Sequence, residues 1–205
     1  MKYLILSSIW AGYCWLHSFL ISIRFTNYLT RVLKNYYAFY RLFYVLFSLV
    51  TLIWVINIPT QLDNEIIITN APPWSIIRQV LTWGSLLMFF WAFFFNYDSL
   101  SFFGIRQILK FGKVRQIDRS EEIKKNGLLS LTRHPMYLAL IIYLWCQTFS
   151  MADLVVNSIL TIYVIIGTVI EEKKLVLEFG DAYRIYQQEV PMLIPFTKRG
   201  KLAHQ

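Results

Sequence analysis

The sequence predicts an all-α polytopic membrane protein with about five transmembrane helices. Of its 205 residues, 57% are hydrophobic and only 16% are charged, which lies outside the composition of ordinary soluble domains. Several apolar runs approach the roughly 20 residues that a helix needs to cross a bilayer core of about 30 Å. Because backbone polar groups must be satisfied inside lipid, runs of this length indicate membrane-spanning helices.

Five apolar segments mark the predicted spans. The first is interpreted as a retained span, because it lacks a small-residue cleavage site and contains Trp10, Trp15 and His17. The last two are short and are separated only by SMAD at residues 150–153, which predicts a tight helical hairpin with Asp153 as a helix N-cap. The segments are residues 3–23, 39–57, 74–96, 136–149 and 154–170.

The distribution of basic residues predicts the orientation of these spans. The first connection, the third connection and the C-terminal tail carry four, eight and six of the twenty Lys and Arg residues. Under the positive-inside rule, this alternation places the C-terminus in the cytoplasm and the N-terminus outside. The net charge of +8 is therefore interpreted as topology and as attraction to anionic membrane lipid, and no nucleic-acid partner is expected.

The chain is predicted to divide into an N-terminal three-helix membrane region, residues 1–97, and a catalytic region, residues 98–205. The stretch YDSLSFFGIRQIL at the start of the second region has apolar residues at helical spacing, which predicts an amphipathic helix at the interface. Beyond the fifth span, a cytoplasmic helical extension is expected to continue to Pro191. Its apolar face comprises Leu175, Phe179, Ala182, Tyr183 and Tyr186.

Three polar clusters are candidates for chemistry: Arg133 to Tyr137, the pair Glu171-Glu172, and Tyr183 to Tyr186. Because the predicted hairpin turns outside, its two ends return the first two clusters to the same membrane face. The alternative for the glutamates is a solvated helix end, paired with the lysines that follow. His134 and Pro135 have a structural alternative too, as a satisfied polar residue and a helix-start residue.

Neither cysteine nor histidine positions predict a bound metal. Cys14 and Cys146 lie in spans far apart in sequence, so no disulfide framework is implied. A haem-ligating pair of His17 and His134 has no supporting spacing.

The motifs resemble those of a known family, the integral-membrane methyltransferases that include the isoprenylcysteine carboxyl and phospholipid methyltransferases. The shared residues are Gly127, RHPMY from Arg133 to Tyr137, Glu171-Glu172, and FGDAYRIYQQEVPMLIPF at residues 179–196. Within the family, WLHSFLIS, FFGIRQI and VPMLIPF are most similar to the bacterial methanethiol S-methyltransferases. That branch implies a multi-pass protein of the bacterial inner membrane.

The resemblance implies S-adenosylmethionine as methyl donor and no metal. The residues that it implies for donor binding are Gly127, His134, Pro135, Tyr137, Glu171 and Glu172. Glu172, Arg133 and Arg184 are the expected catalytic residues, with Glu172 favoured as any general base, and Tyr183 and Tyr186 lie on the substrate side. Arg133 is expected either to bind the donor carboxylate or to organise the glutamates.

The expected acceptor is a small thiol such as methanethiol, which would be converted to dimethyl sulfide. A prenylcysteine carboxylate or a phospholipid is the alternative acceptor, and a non-catalytic membrane protein of the NnrU type is the alternative of another class. The oligomeric state is not predicted. Two positions depart from the methanethiol branch: Leu129 stands where an aromatic residue is usual, and Thr132 precedes Arg133.

Overall fold

The described part of the chain is almost entirely helical, which confirms the all-α class. The computed structural model describes residues 1–62, 66–68, 72–109, 111 and 125–197, without the side chains of residues 59–62, 67, 68 and 149. The α-helices in these ranges are α1 Lys2–Leu20, α2 Ile23–Leu33, α3 Tyr40–Leu62, α4 Trp74–Trp91, α5 Ser99–Phe102, α6 Ile105–Leu109, α7 Pro135–Trp145, α8 Met151–Phe179 and α9 Asp181–Glu189.

Short irregular elements connect these helices. Two strands, β1 Ile66–Ile68 and β2 Phe149–Ser150, form a small antiparallel pair. The other elements are 3-10 helices at Lys34–Phe39 and Gly127–Ser130 and a π-helical turn at Ala92–Asn96.

Three helical stretches are long and apolar enough to cross a membrane: Ile23–Ile58, Trp74–Asn96 and Met151–Phe179. They coincide with the second, third and fifth predicted spans. The first predicted span forms α1, and the fourth forms the short apolar helix α7, but neither is among the three stretches. The membrane-protein prediction is thus confirmed, and the count of five spans stays a prediction.

The chain forms two compact units, each assembled from several stretches of sequence, and the predicted division at residues 97 and 98 stays a prediction. One unit comprises α1 to α3, the strand pair, α5, α6 and the N-terminal part of α8. Leu6 and Trp10 of α1 pack there with Val55 of α3 and Ala152 of α8. Nearby in this unit, the Tyr44 hydroxyl lies 2.8 Å from Nε2 of His17.

Gly104 interrupts the helix predicted for the start of the third connection. Its φ of +79° lies in the left-handed region, and a Cβ at this position would lie 2.9 Å from both Arg41 Cβ and Leu42 N. The prediction of one amphipathic helix is wrong, since two short helices, α5 and α6, meet at this glycine. Residues 110 and 112–124 of the connection lie outside the described residues.

The start of α8 is stabilised by Ser150 rather than by Asp153 as N-cap. The Ser150 hydroxyl accepts from the amide of Asp153 at 3.3 Å, and the Asp153 carboxylate accepts from the amide of Ser150 at 3.0 Å. This reciprocal pair is a capping box, in which the acid stands three residues inside the cap. The predicted helix start is therefore correct, but the roles of the two residues are reversed.

The second unit comprises α4, the π-helical turn, the 3-10 helix Gly127–Ser130, α7, the remainder of α8 and α9. α7 packs against α4. It also runs beside α8, because Trp145 Nε1 donates to Thr161 Oγ1 at 2.9 Å and Tyr137 at its other end contacts Glu171. This is the antiparallel arrangement expected of the hairpin.

The helical extension after the fifth span breaks at Gly180, whose φ is +60°. The prediction of one continuous helix to Pro191 is wrong, since α8 ends at Phe179 and α9 begins at Asp181. The break lets most of the predicted apolar face fold onto itself, but Ala182 is exposed and is not part of the packed face. Tyr183, Tyr186 and Val190 are buried against Leu175, Val176 and Phe179.

Candidate active site

A buried arginine joins the start of α7 to α8 and α9. The Arg133 guanidinium donates from Nε and Nη2 to the two carboxylate oxygens of Glu172, the Nη2 bond measuring 2.6 Å. Its Nη1 donates to the carbonyl oxygens of Gln187, at 3.1 Å, and of Val190. Arg133 and Glu172 are 6% and 8% exposed, so this is a buried bidentate ion pair.

Three further side chains donate to Glu172. His134 Nε2 lies 3.2 Å and the Tyr183 hydroxyl 3.3 Å from Oε1, and Gln187 Nε2 lies 2.8 Å from Oε2. We call Arg133, His134, Glu172, Tyr183 and Gln187 the buried polar cluster. Because an ionised carboxylate only accepts, we assign the His134 proton to Nε2, which leaves Nδ1 as an acceptor. That Nδ1 is buried and has no hydrogen-bond partner among the described residues.

The extended segment after α9 holds the Arg133 loop through its main chain. The amides of Arg133 and His134 donate to the carbonyls of Pro191 and Met192 at 3.0 and 3.2 Å. The Thr132 hydroxyl donates to the same Met192 carbonyl at 2.9 Å, so this departure from the family pattern has a structural role here. Pro135 is buried at the first turn of α7, where its missing amide proton costs nothing.

Glu171 has a different environment from its neighbour Glu172. Its Oε2 accepts from the Tyr137 hydroxyl at 2.7 Å, and the residue is half-buried. Among the described residues it forms no ion pair. The Tyr137 ring also stacks on His134, with ring centres 5.6 Å apart, so it lies between Glu171 and the buried polar cluster.

Tyr97 lies near the candidate site and belongs to none of the shared motifs. Its amide closes the π-helical turn at Ala92, and that turn contacts both α7 and the 3-10 helix Gly127–Ser130. Burial raises the pKa of the Tyr97 phenol, and the charge of Glu171 and then Tyr186 raise it further. Tyr97 therefore stays protonated beside Glu171. No sequence pattern marks Tyr97. The π-helical turn that ends there is frequent at functional sites, but it is visible only in the structure.

Tyr186 links α9 to the glycine segment of the motif. Its hydroxyl donates to the Leu129 carbonyl at 2.6 Å, and burial raises the pKa of Tyr186 to about 12. This bond uses the main chain of Leu129, so the departure from an aromatic side chain does not affect it. Gly127 begins the 3-10 helix with a φ of +61°.

Of the expected site residues, Arg184 is not brought to the buried polar cluster. Its side chain is exposed on α9 and pairs with Asp181 at 3.3 Å. Within the described ranges, His, Cys, Asp and Glu side chains form no group of three that could hold a metal ion.

An open cleft of about 480 Å³ runs between α8 and α9. It is lined by the apolar residues Val169, Val176 and Leu177, by Lys173, and by Glu172 and Gln187 of the buried polar cluster. Its volume is within the range of small-molecule sites.

The fold and this arrangement define a helical membrane protein with a buried arginine–glutamate site, built where the start of α7 meets the end of α8. The chain belongs to the DUF1295 family, described as a protein of unknown function, whose model matches residues 21–190. No solved structure matches the chain.

Several similar proteins are named methanethiol S-methyltransferase. One from Pseudomonas deceptionensis is 32% identical over 76% of this chain and 59% of its own length, and methanethiol S-methyltransferase 1 of Bradyrhizobium diazoefficiens is 30% identical over 89% and 63%. A third, from Pseudomonas sp. (strain GM41(2012)), is 36% identical over 59% of this chain and 45% of its own length. The chain thus spans about half to two thirds of these relatives.

Proposed function

We propose that this protein is an S-adenosylmethionine-dependent membrane methyltransferase that methylates the sulfur of a small thiol such as methanethiol, giving dimethyl sulfide. The observation that carries the proposal is the buried polar cluster, which joins residues of the separate motifs around one ion pair. The names of the similar proteins support the same reaction.

The residues around the buried polar cluster fit the methyl donor. S-adenosylmethionine supplies a methyl group that its sulfonium already activates. The unpartnered Nδ1 of His134 is an acceptor for a hydroxyl or amino group of the methyl donor. Glu171 offers a negative charge to the positively charged part of the donor. We assign Gly127, Pro135 and Tyr137 to the nucleotide side of the same site.

We assign Arg133 and Glu172 the role of organising the site. Arg133 is already bonded to both oxygens of Glu172 and to two carbonyls. All three of its guanidinium nitrogens therefore donate to groups of the protein rather than to the donor. Glu172 accepts hydrogen bonds from four side chains, which stabilises its charged form and makes it a weak proton acceptor. The thiol is expected to react as its thiolate, and the buried groups position the reactants and exclude water.

A lipidic acceptor is the second candidate, and the open cleft is the observation that favours it. The walls formed by Val169, Val176 and Leu177 suit an acyl or prenyl chain rather than a thiol of two heavy atoms. Membrane lipid is also an expected partner of the apolar spanning helices.

We place the site at the cytoplasmic face of a bacterial inner membrane. The alternation of Lys and Arg between the spans supports this orientation. Both partners, the soluble donor and a small thiol, would then reach the site from the cytoplasm.

Donor binding tests the proposal. Calorimetry on detergent-purified protein with S-adenosylmethionine is expected to give saturable binding, and His134→Ala is expected to weaken it about tenfold through one lost hydrogen bond at a buried group. Gln188→Ala changes an exposed residue of α9 and is the control. Absence of heat, together with absence of thermal stabilisation by the donor, would reject the methyltransferase.

A further inference from the structure

Two adjacent glutamates of one helix have opposite electrostatic environments. Glu172 is buried and is neutralised by the guanidinium of Arg133. Glu171 is half-buried, accepts a single hydrogen bond from a neutral phenol, and has no cation paired with it in the described part of the chain. Among the described residues, the opposite charges of Arg133 and Glu172 cancel, whereas the charge of Glu171 is not balanced by a paired cation.

The groups beside Glu171 are aromatic. The Tyr137 hydroxyl bonds its carboxylate, and Tyr97 ends the π-helical turn that packs against α7, the helix that carries Tyr137. A primary ammonium needs several hydrogen-bond acceptors, whereas a sulfonium or quaternary ammonium has no N–H to donate. Such an onium ion is recognised by aromatic rings and a nearby negative charge, as in aromatic cages for methylated cations.

We propose that Glu171, flanked by Tyr97 and Tyr137, recognises the sulfonium charge of the methyl donor and makes the site discriminate the donor from its demethylated product. This inference rests on the proposed function. S-adenosylmethionine carries a sulfonium that S-adenosylhomocysteine lacks, while the two share the same ammonium, carboxylate and adenosine. An interaction with the sulfonium alone therefore weakens when the methyl group leaves, which favours product release.

The experiment compares equilibrium binding of the two ligands. Calorimetry is run with S-adenosylmethionine and with S-adenosylhomocysteine on the wild type, Glu171→Gln and Glu178→Gln. Glu178 lies on the same helix two turns further on and is exposed, so its variant removes the same charge away from the site. We expect Glu171→Gln to weaken the charged donor about tenfold more than the neutral product, as loss of one charge interaction in a half-buried site implies, and Glu178→Gln to leave the ratio unchanged.

Equal weakening of both ligands by Glu171→Gln would overturn the inference, because it would assign Glu171 to the shared ammonium or ribose. An unchanged ratio with unchanged affinities would overturn it as well. Failure of the wild type to bind either ligand would contradict the proposed function itself, so the two failures are distinguishable.

Tyr97 provides an independent test if Glu171→Gln does not fold. The quantity compared is the dissociation constant of S-adenosylhomocysteine divided by that of S-adenosylmethionine. Tyr97→Phe keeps the ring and is expected to keep this ratio, whereas Tyr97→Leu is expected to lower it severalfold. A ratio that follows loss of the hydroxyl rather than loss of the ring would contradict the aromatic recognition.

Discussion

Arg133 is the residue on which the site depends, and only arginine can fill its position. Its planar fork donates to both oxygens of Glu172 while a third nitrogen donates to two carbonyls at the end of α9. A lysine has one nitrogen and cannot reach these acceptors in the same geometry. The side chain is buried, so each acceptor left unpaired would cost free energy.

Removing one partner of the buried ion pair is expected to destabilise the protein strongly. Arg133→Lys and Glu172→Gln should each lower the free energy of unfolding by roughly 3–5 kcal/mol, because each disrupts a desolvated charge pair. Thermal unfolding in detergent measures this. The double variant Arg133→Met, Glu172→Leu removes both charges and should recover part of the lost free energy of unfolding. It is not expected to bind the methyl donor. A Glu172→Gln protein as stable as the wild type would show that the pair is not structurally required.

Gln187 is expected to hold the Glu172 carboxylate in place. Its Nε2 donates to Glu172 Oε2 at 2.8 Å, so Gln187→Leu should lower the free energy of unfolding by about 1–2 kcal/mol. The neighbouring Gln188 is exposed, and Gln188→Leu is the matched control. Equal melting temperatures for the two variants would contradict the role of Gln187.

The motifs contain most of the residues of the buried polar cluster, but they do not show which of these residues bond to one another. The predicted hairpin placed Arg133 and Glu172 at one membrane face. The sequence left open whether Arg133 binds the donor carboxylate or organises the glutamates. Gln187 lies inside the motif at residues 179–196 and Tyr97 begins the stretch YDSLSFFGIRQIL, but nothing in either pattern distinguishes these two residues from their neighbours. Their roles arise from the break at Gly180 and from the π-helical turn, which are tertiary features.

At the scale of elements, the hinge between α8 and α9 decides whether the site forms. Gly180 turns the chain so that Tyr183 and Gln187 of α9 reach Glu172 on α8. A continuous helix would carry α9 away along the axis of α8. The helical spacing predicted four of the five residues of the apolar face, all except Ala182. It did not predict the break, because a glycine within a helical pattern is compatible with either outcome.

Substituting this glycine is expected to destabilise the protein. Gly180→Ala forces a Cβ into the left-handed region and should cost about 1 kcal/mol or more. Gly167→Ala is the matched control and is expected to raise the melting temperature. Gly167 lies inside α8, a Cβ there would meet no neighbouring atom, and alanine favours the helix by about 1 kcal/mol over glycine. Thermal unfolding in detergent distinguishes them. A Gly180→Ala protein with an unchanged or raised melting temperature would argue against the hinge.

For the whole molecule, composition and charge predicted the class of protein correctly, because burial in lipid imposes strong constraints on sequence. Three of the predicted spans coincide with stretches that are long and apolar enough to cross a membrane. α1 and α7 are harder to assign from sequence. α7 has only 11 residues, and a helix of that length is too short to cross a bilayer core alone.

The predicted orientation can be tested by labelling cysteines in cells. In a variant in which Cys14 and Cys146 are replaced by alanine, Gln188→Cys should react with a membrane-impermeant maleimide only after permeabilisation. Ile66→Cys, exposed in β1 of the second connection, should react in intact cells. The reverse pattern would place the site outside and contradict the cytoplasmic assignment.

The most direct test of the central claim follows the methyl group. Purified protein is incubated with methyl-labelled S-adenosylmethionine and with methanethiol, a farnesyl-cysteine analogue or phosphatidylethanolamine, and label is measured in the headspace and in the lipid extract. We predict labelled dimethyl sulfide in the headspace of the methanethiol reaction. Label only in the lipid or prenylcysteine fraction, or label in no product, would contradict the account.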